Sequence, residues 1–107
     1  MRRLLIAGAI MSCSFPAVAQ NVPRYDVEKY CQRVASAVGG SAQIENACIS
    51  QEQEAYDGLK SSWASVAAKT QAYCDKVARA VGGTYQIMAT CIEQESSATQ
   101  AKPGFKY

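Results

Sequence analysis

Residues 31–52 read Cys31-Gln-Arg-Val-Ala-Ser-Ala-Val-Gly-Gly-Ser-Ala-Gln-Ile-Glu-Asn-Ala-Cys-Ile-Ser-Gln-Glu52, and residues 74–95 read Cys74-Asp-Lys-Val-Ala-Arg-Ala-Val-Gly-Gly-Thr-Tyr-Gln-Ile-Met-Ala-Thr-Cys-Ile-Glu-Gln-Glu95. The second stretch repeats the first at an offset of 43 residues without a gap. Tyr30 and Tyr73 extend the match upstream, and Ala55 and Ala98 extend it downstream. Self-similarity at a period of this size is the mark of a duplicated supersecondary unit.

Each copy reads as helix, tight turn, helix. Ahead of the glycine pair, apolar residues fall at Val27, Tyr30, Cys31, Val34, Ala35 and Val38, and in the second copy at Tyr73, Cys74, Val77, Ala78 and Val81. Steps of three and four place them on one face of an α-helix. Gly39-Gly40 and Gly82-Gly83 stop those helices, because glycine adopts the left-handed C-cap conformation without steric cost. Ser41 and Thr84 follow directly and are suited to N-cap the next helix. That helix carries Ile44, Cys48, Ile49 and Ala55 in copy one, and Ile87, Met88, Cys91, Ile92 and Ala98 in copy two. The expected fold is all-α: two tandem helical hairpins packed as a small bundle.

Cys31 and Cys48 are equidistant from the Gly39–Gly40 junction, and Cys74 and Cys91 from the Gly82–Gly83 junction. Positions equidistant from the turn of an antiparallel hairpin lie opposite each other. Small neighbours (Ala35, Ala47, Ala78) let the helices approach to disulfide range. The pairs Cys31–Cys48 and Cys74–Cys91 are therefore expected. Each would close a loop worth roughly 3 kcal/mol on the chain-entropy model. A chain this short has a limited core, so such staples matter.

The first nineteen residues differ from the rest. Arg2-Arg3, an apolar run from Leu4 to Met11 and a closing Ala17-Val18-Ala19 are the three parts of a secretory signal peptide. The apolar run is too short to span a membrane. Lipid attachment at Cys13 and twin-arginine export are weaker alternatives. The organisation expected is a signal peptide over 1–19 and a helical domain over 20–107, with repeat one at about 25–60 and repeat two at about 63–101. Removal of 1–19 takes away Arg2, Arg3 and Cys13. That leaves four cysteines, and nine Lys/Arg against nine Asp/Glu. An even cysteine count in an exported chain reads as a disulfide framework. The balanced charge leaves no footprint for nucleic acid or an anionic membrane.

Between the copies, Tyr56-Asp-Gly-Leu-Lys-Ser-Ser-Trp63 contains no proline. The second helix is expected to run to about Lys60, bend at Gly58 and Ser61-Ser62, and give way to a third from about Trp63. One unbroken helix through Trp63 is the alternative. Asn21-Val-Pro23 reads as a lead-in, and Lys102-Pro-Gly-Phe-Lys-Tyr107 as a frayed tail.

Three constellations could carry chemistry. Four cysteines could hold zinc, but structural zinc sites use pairs two to four residues apart, and these are seventeen apart. Neither Cys-x-x-Cys nor any histidine is present, which removes the usual redox motif, the commonest general base and the commonest metal ligand. The repeated Gln51-Glu52 and Gln94-Glu95 could supply paired carboxylates for acid–base work. The structural reading is preferred: a partly exposed pair that contacts a neighbouring helix or solvates its edge. Finally, Tyr30, Tyr56, Trp63, Tyr73 and Tyr85 could form an exposed recognition surface, although their helical spacing favours packing between hairpins.

The pattern Tyr-Cys-x-x-Val-Ala-x-x-Val-Gly-Gly-[Ser/Thr]-x-Gln-Ile-x-x-x-Cys-Ile-x-Gln-Glu, present twice, resembles small exported proteins of alphaproteobacteria that carry paired-cysteine helical hairpins. The resemblance covers both repeats and the Trp63 linker. It implies an envelope or secreted location and an all-helical fold, and it brings no catalytic residues with it. The expectation is thus a periplasmic or secreted module that binds another envelope protein or its own copy. No enzyme activity, cofactor or transmembrane segment in the mature chain is expected. A small-ligand or stress-chaperone module is the alternative.

Overall fold

Asp26 starts the first helix: its carboxylate accepts the Lys29 N–H at 3.2 Å and so satisfies one of the free donors of the first turn. In the computed structural model, which describes residues 21–101 and 103–107 together with Gly8, α1 runs Val27–Ala37 and α2 runs Ala42–Ser62. A 3₁₀ turn follows at Trp63–Ser65, then α3 at Ala68–Ala80 and α4 at Tyr85–Gln100. The signal-peptide assignment, including Cys13, lies outside the described residues.

The two hairpin turns are built alike. Gly40 N–H donates to the Ala35 carbonyl and Gly39 N–H to that of Ser36; Gly83 and Gly82 repeat this with Ala78 and Arg79. That is the Schellman arrangement, and it needs left-handed backbone just past the helix end. All four glycines have positive φ, between 80° and 103°. The turns bring each cysteine pair face to face. Cys31 bonds Cys48 and Cys74 bonds Cys91, each with Cα atoms 5.6 Å apart. The sulfurs are thus paired within each hairpin, as their symmetry about the turns predicts.

The segment between the repeats departs from expectation in detail. The second helix reaches Ser62, and the third begins at Ala68 instead of Trp63. The alternative of one unbroken helix is overturned: Val66 is extended at φ −84°, ψ 131°. Serines explain the stop. The Ser61 and Ser62 hydroxyls bond back to the Gly58 carbonyl, and Ser65 bonds back to Ser62, competing with continued helix. The buried Gln71 amide then donates to the Trp63 carbonyl at 2.8 Å and ties the turn to α3.

Each hairpin packs internally, α1 on α2 and α3 on α4, and the hairpins join through α2 against α4. The core is shared unequally. Its cluster comprises Tyr25, Leu59, Trp63, Cys74, Ala78, Tyr85, Met88 and Ile92: mostly repeat two, plus the end of α2 and one lead-in residue. Tyr85 and Met88 are buried, whereas their counterparts Ala42 and Glu45 are not. The duplicated unit has therefore diverged into an inner copy and an outer one.

Candidate functional site

The lead-in is a strap across the second repeat. The Tyr85 hydroxyl accepts the Tyr25 N–H at 2.9 Å and donates to the Pro23 carbonyl at 2.7 Å. The Tyr25 hydroxyl donates to Asp75 Oδ1 at 2.7 Å, and Asp75 is also paired with Arg79 at 3.0 Å. The Arg79 guanidinium lies over the Tyr25 ring, 5.3 Å from its centre. The side chain rests on Gly83, where an added Cβ would meet the Tyr25 Cβ at 3.3 Å and the ring Cγ at 3.4 Å. Glycine is required there twice over, for its φ of +82° and for this close approach.

A second connection locks the hairpins together. Glu52, only 1 % exposed, projects from α2 to the start of α4. One carboxylate oxygen accepts the Thr84 hydroxyl, and the other accepts the Tyr85 N–H at 2.5 Å. Thr84 occupies the N-cap position, yet its hydroxyl caps nothing in its own helix. The anion from the other repeat does that work, placed where free N–H groups and the helix dipole both favour negative charge. Beside it, Gln86 donates to Gln51 at 3.0 Å.

Strap and lock border a cleft of about 630 Å³. Tyr56, Tyr85 and Tyr25 form a row along it, with Tyr85 in the middle at ring separations of 4.8 and 4.6 Å and tilts of 45° and 31°. Arg24 and Lys60 stand among its lining residues, with Lys60 Nζ 4.7 Å from the centre of the Tyr56 ring. Burial and the bond to Asp75 hold the Tyr25 phenol well above the ordinary tyrosine range, and burial raises Tyr85 as well. Both are neutral donors and acceptors through physiological pH. Lys60 is itself paired with Asp57 at 3.0 Å, and Glu28 lines the cleft as well, so the groups left to meet a flat or anionic ligand are the half-buried Tyr56 ring and the exposed Arg24.

The five aromatic candidates do not share one surface. Trp63 and Tyr85 are core residues, 6 % and 4 % exposed, and present no face of their own to a partner. The indole N–H of Trp63 is buried with no acceptor among the described residues. Tyr56 is half-buried on the cleft, Tyr30 is half-buried over Gly82, and Tyr73 is 52 % exposed. The Glu52/Glu95 pair is likewise split. Glu52 is buried in the lock, against the expectation of a partly exposed residue, while Glu95 is half-buried on α4.

Tyr25 stands in the sequence as one more aromatic residue for core or surface, but its role as a strap, and that of Arg24 beside it, are not repeated in copy two, where Ala67 and Ala68 hold the matching positions. A signal for them existed: Tyr85 replaces Ala42 and Met88 replaces Glu45, marking the start of α4 as the place where something packs. Comparison of the chain with protein-family models, curated proteins and solved structures finds no match.

Proposed function

We propose that the protein is an exported, non-catalytic binding module, placed in the periplasm or secreted, whose working surface is the tyrosine-lined cleft. The observation that carries this reading is the use of Glu52 and Tyr25 to hold two stapled hairpins together around that cleft. A buried carboxylate spent on joining two halves is costly unless every oxygen is satisfied; its return is a fixed geometry at the cleft wall. Three features support export: Arg2-Arg3 with the apolar run and Ala17-Val18-Ala19, two disulfides, and, among the described residues, no helix long and apolar enough to cross a membrane. Disulfides of this kind persist in oxidising compartments.

Fractionation with N-terminal sequencing tests the export part, the expected result being a disulfide-bonded chain that begins at Gln20. Capture from envelope extracts, comparing the native chain with Tyr56→Ala/Lys60→Ala, tests the cleft. A partner held by the native chain and lost by the variant supports the proposal; equal recovery with both chains overturns it.

A second reading is favoured by the exposed Arg24 on the cleft; Lys60, which also lines it, is paired with Asp57 at 3.0 Å. Here the occupant is a small anionic aromatic molecule. Titration with such compounds, followed through Trp63 fluorescence, separates the two readings.

A further inference from the structure

The joint between the two hairpins is made by one face of repeat one and the turn end of repeat two. From repeat one come Tyr30, Arg33, Gln51 and Glu52; from repeat two come Gly82, Thr84, Tyr85 and Gln86. Arg33 donates to the Gly82 carbonyl at 3.3 Å, and a Cβ on Gly82 would meet the Tyr30 ring at 3.2 Å. This is a heterologous contact, in which two different surfaces of the same repeated unit meet.

Moved by the repeat offset, the polar partners of that joint recur outside it; of these side chains only that of Ser41 is engaged among the described residues, its hydroxyl accepting the Ile44 N–H at 3.3 Å while keeping its own proton to donate. Tyr30, Arg33, Gln51 and Glu52 become Tyr73, Lys76, Gln94 and Glu95. Gly82, Gly83, Thr84 and Gln86 become Gly39, Gly40, Ser41 and Gln43. Both leftover surfaces are open. Tyr73 is 52 % exposed, Lys76 and Gln94 are exposed, and Glu95 is half-buried. At the other end, Gly39, Gly40 and Gln43 are exposed, and nothing lies within 4 Å of a Cβ placed on either glycine. Val38 and Val81, 59 % and 52 % exposed, flank the turns.

We infer that a second copy of this chain docks head to tail, its Tyr73–Lys76–Glu95 face seating on the Gly39–Gln43 turn. The contact repeats the joint inside the molecule: Lys76 toward the Gly39 carbonyl, Glu95 toward the Ser41 hydroxyl and the Ala42 N–H. It lacks the apolar half of the original, since Tyr25, Tyr85 and Tyr56 correspond to Ala68, Ala42 and Thr99. The association is accordingly weak and fast, in the class of small transient interfaces. Because the surfaces are different, it extends into chains or closes into rings instead of stopping at a two-fold dimer. The inference rests on the reading of the protein as a binding module and names a partner for it. It uses a surface outside the cleft, so capture that depends on Tyr56 and Lys60 survives its failure.

The test uses protein expressed from the full sequence and recovered with both disulfides intact, in sedimentation velocity runs from about 10 µM to about 1 mM, the range where weak association shows. The average mass of the native chain should rise with concentration. Tyr73→Ala/Lys76→Glu removes one face. Ala42→Glu/Gln43→Glu turns the other against Glu95, at helix positions where acidic residues are well tolerated. Each variant alone should associate about tenfold more weakly or worse, while an equimolar mixture should form a dimer that grows no further. A native chain that stays monomeric throughout overturns the inference, as do variants that associate like the native chain or a mixture that stays monomeric. Amide NMR shifts need no variant: with rising concentration they should move at Gly39–Gln43 and around Tyr73, Lys76 and Glu95, and not at Gly82–Gly83. Movement confined to other residues also overturns it.

Discussion

Glu52 of the first hairpin accepts hydrogen bonds from both the hydroxyl and the following N–H of Thr84 and Tyr85, at the start of a helix in the second. The joint therefore depends on one buried carboxylate and on the donors it satisfies. Removing either side leaves the other desolvated and unpaired, which costs more than the bonds contribute when made.

Glu52→Ala should thus destabilise the fold by about 1–3 kcal/mol, the usual cost of leaving buried donors without a partner. Glu95→Ala, at the same position of the other repeat and half-buried, should stay within about 0.5 kcal/mol. Urea unfolding followed by Trp63 fluorescence compares the two. Equal losses would mean that burial of Glu52 is not what stabilises the joint.

The paired glycine substitutions isolate the seat of Tyr25. Gly40 and Gly83 have φ of +80° and +82°, but only Gly83 has the tyrosine ring above it. Gly40→Ala should cost about 1 kcal/mol for the left-handed backbone alone. Gly83→Ala should cost about 1–3 kcal/mol more, because the added methyl displaces the ring. Thermal denaturation of the two variants reads the difference.

The disulfides should be unequal in effect although their loops are equal at 17 residues. Each removal forfeits about 3 kcal/mol of chain-entropy stabilisation. Cys74 also belongs to the main core cluster, and Cys31 does not. Cys74→Ser/Cys91→Ser should therefore lose the near-ultraviolet circular dichroism of the packed aromatics, while Cys31→Ser/Cys48→Ser should keep it.

The tyrosines predict an alkaline limit. Burial and the bond to Asp75 raise the folded-state pKa of Tyr25, and burial raises that of Tyr85. A folded pKa above the unfolded one means stability that is fully present below the ordinary tyrosine range, about 10, and lost as pH climbs through and beyond it. Unfolding free energy should fall from about pH 10 upward, and Tyr25→Phe should flatten that fall. Ultraviolet titration of phenolate should show two groups ionising late.

Much of this was legible before any coordinates. The glycine pairs announced both turns because only they tolerate the backbone needed, and the cysteines announced their pairing by symmetry about those turns. What escaped was whatever the duplication does not repeat. Tyr25 lies ahead of the repeat, and nothing in its neighbourhood says that Gly83 leaves room for its ring. Thr84 carries the right side chain for an N-cap, but Glu52 supplies that cap from 32 residues away, a separation that local pattern does not reveal. Trp63 looked like a helix start because helical spacing continues through it, and serines bonding back to their own helix stopped it first.

Tyr25 also sets the order in which the molecule can be finished. A ribosome makes it early, among the first residues of the helical part, yet the groups that receive it, Asp75, Gly83 and Tyr85, are made last. The first hairpin can close its own sulfur bridge once Cys48 reaches an oxidising compartment, but its strap and its carboxylate must wait, wet and unpaired, for the second to arrive. A chain cut short between the repeats would keep a hairpin with neither fastening used, its Tyr25 and Glu52 left in water.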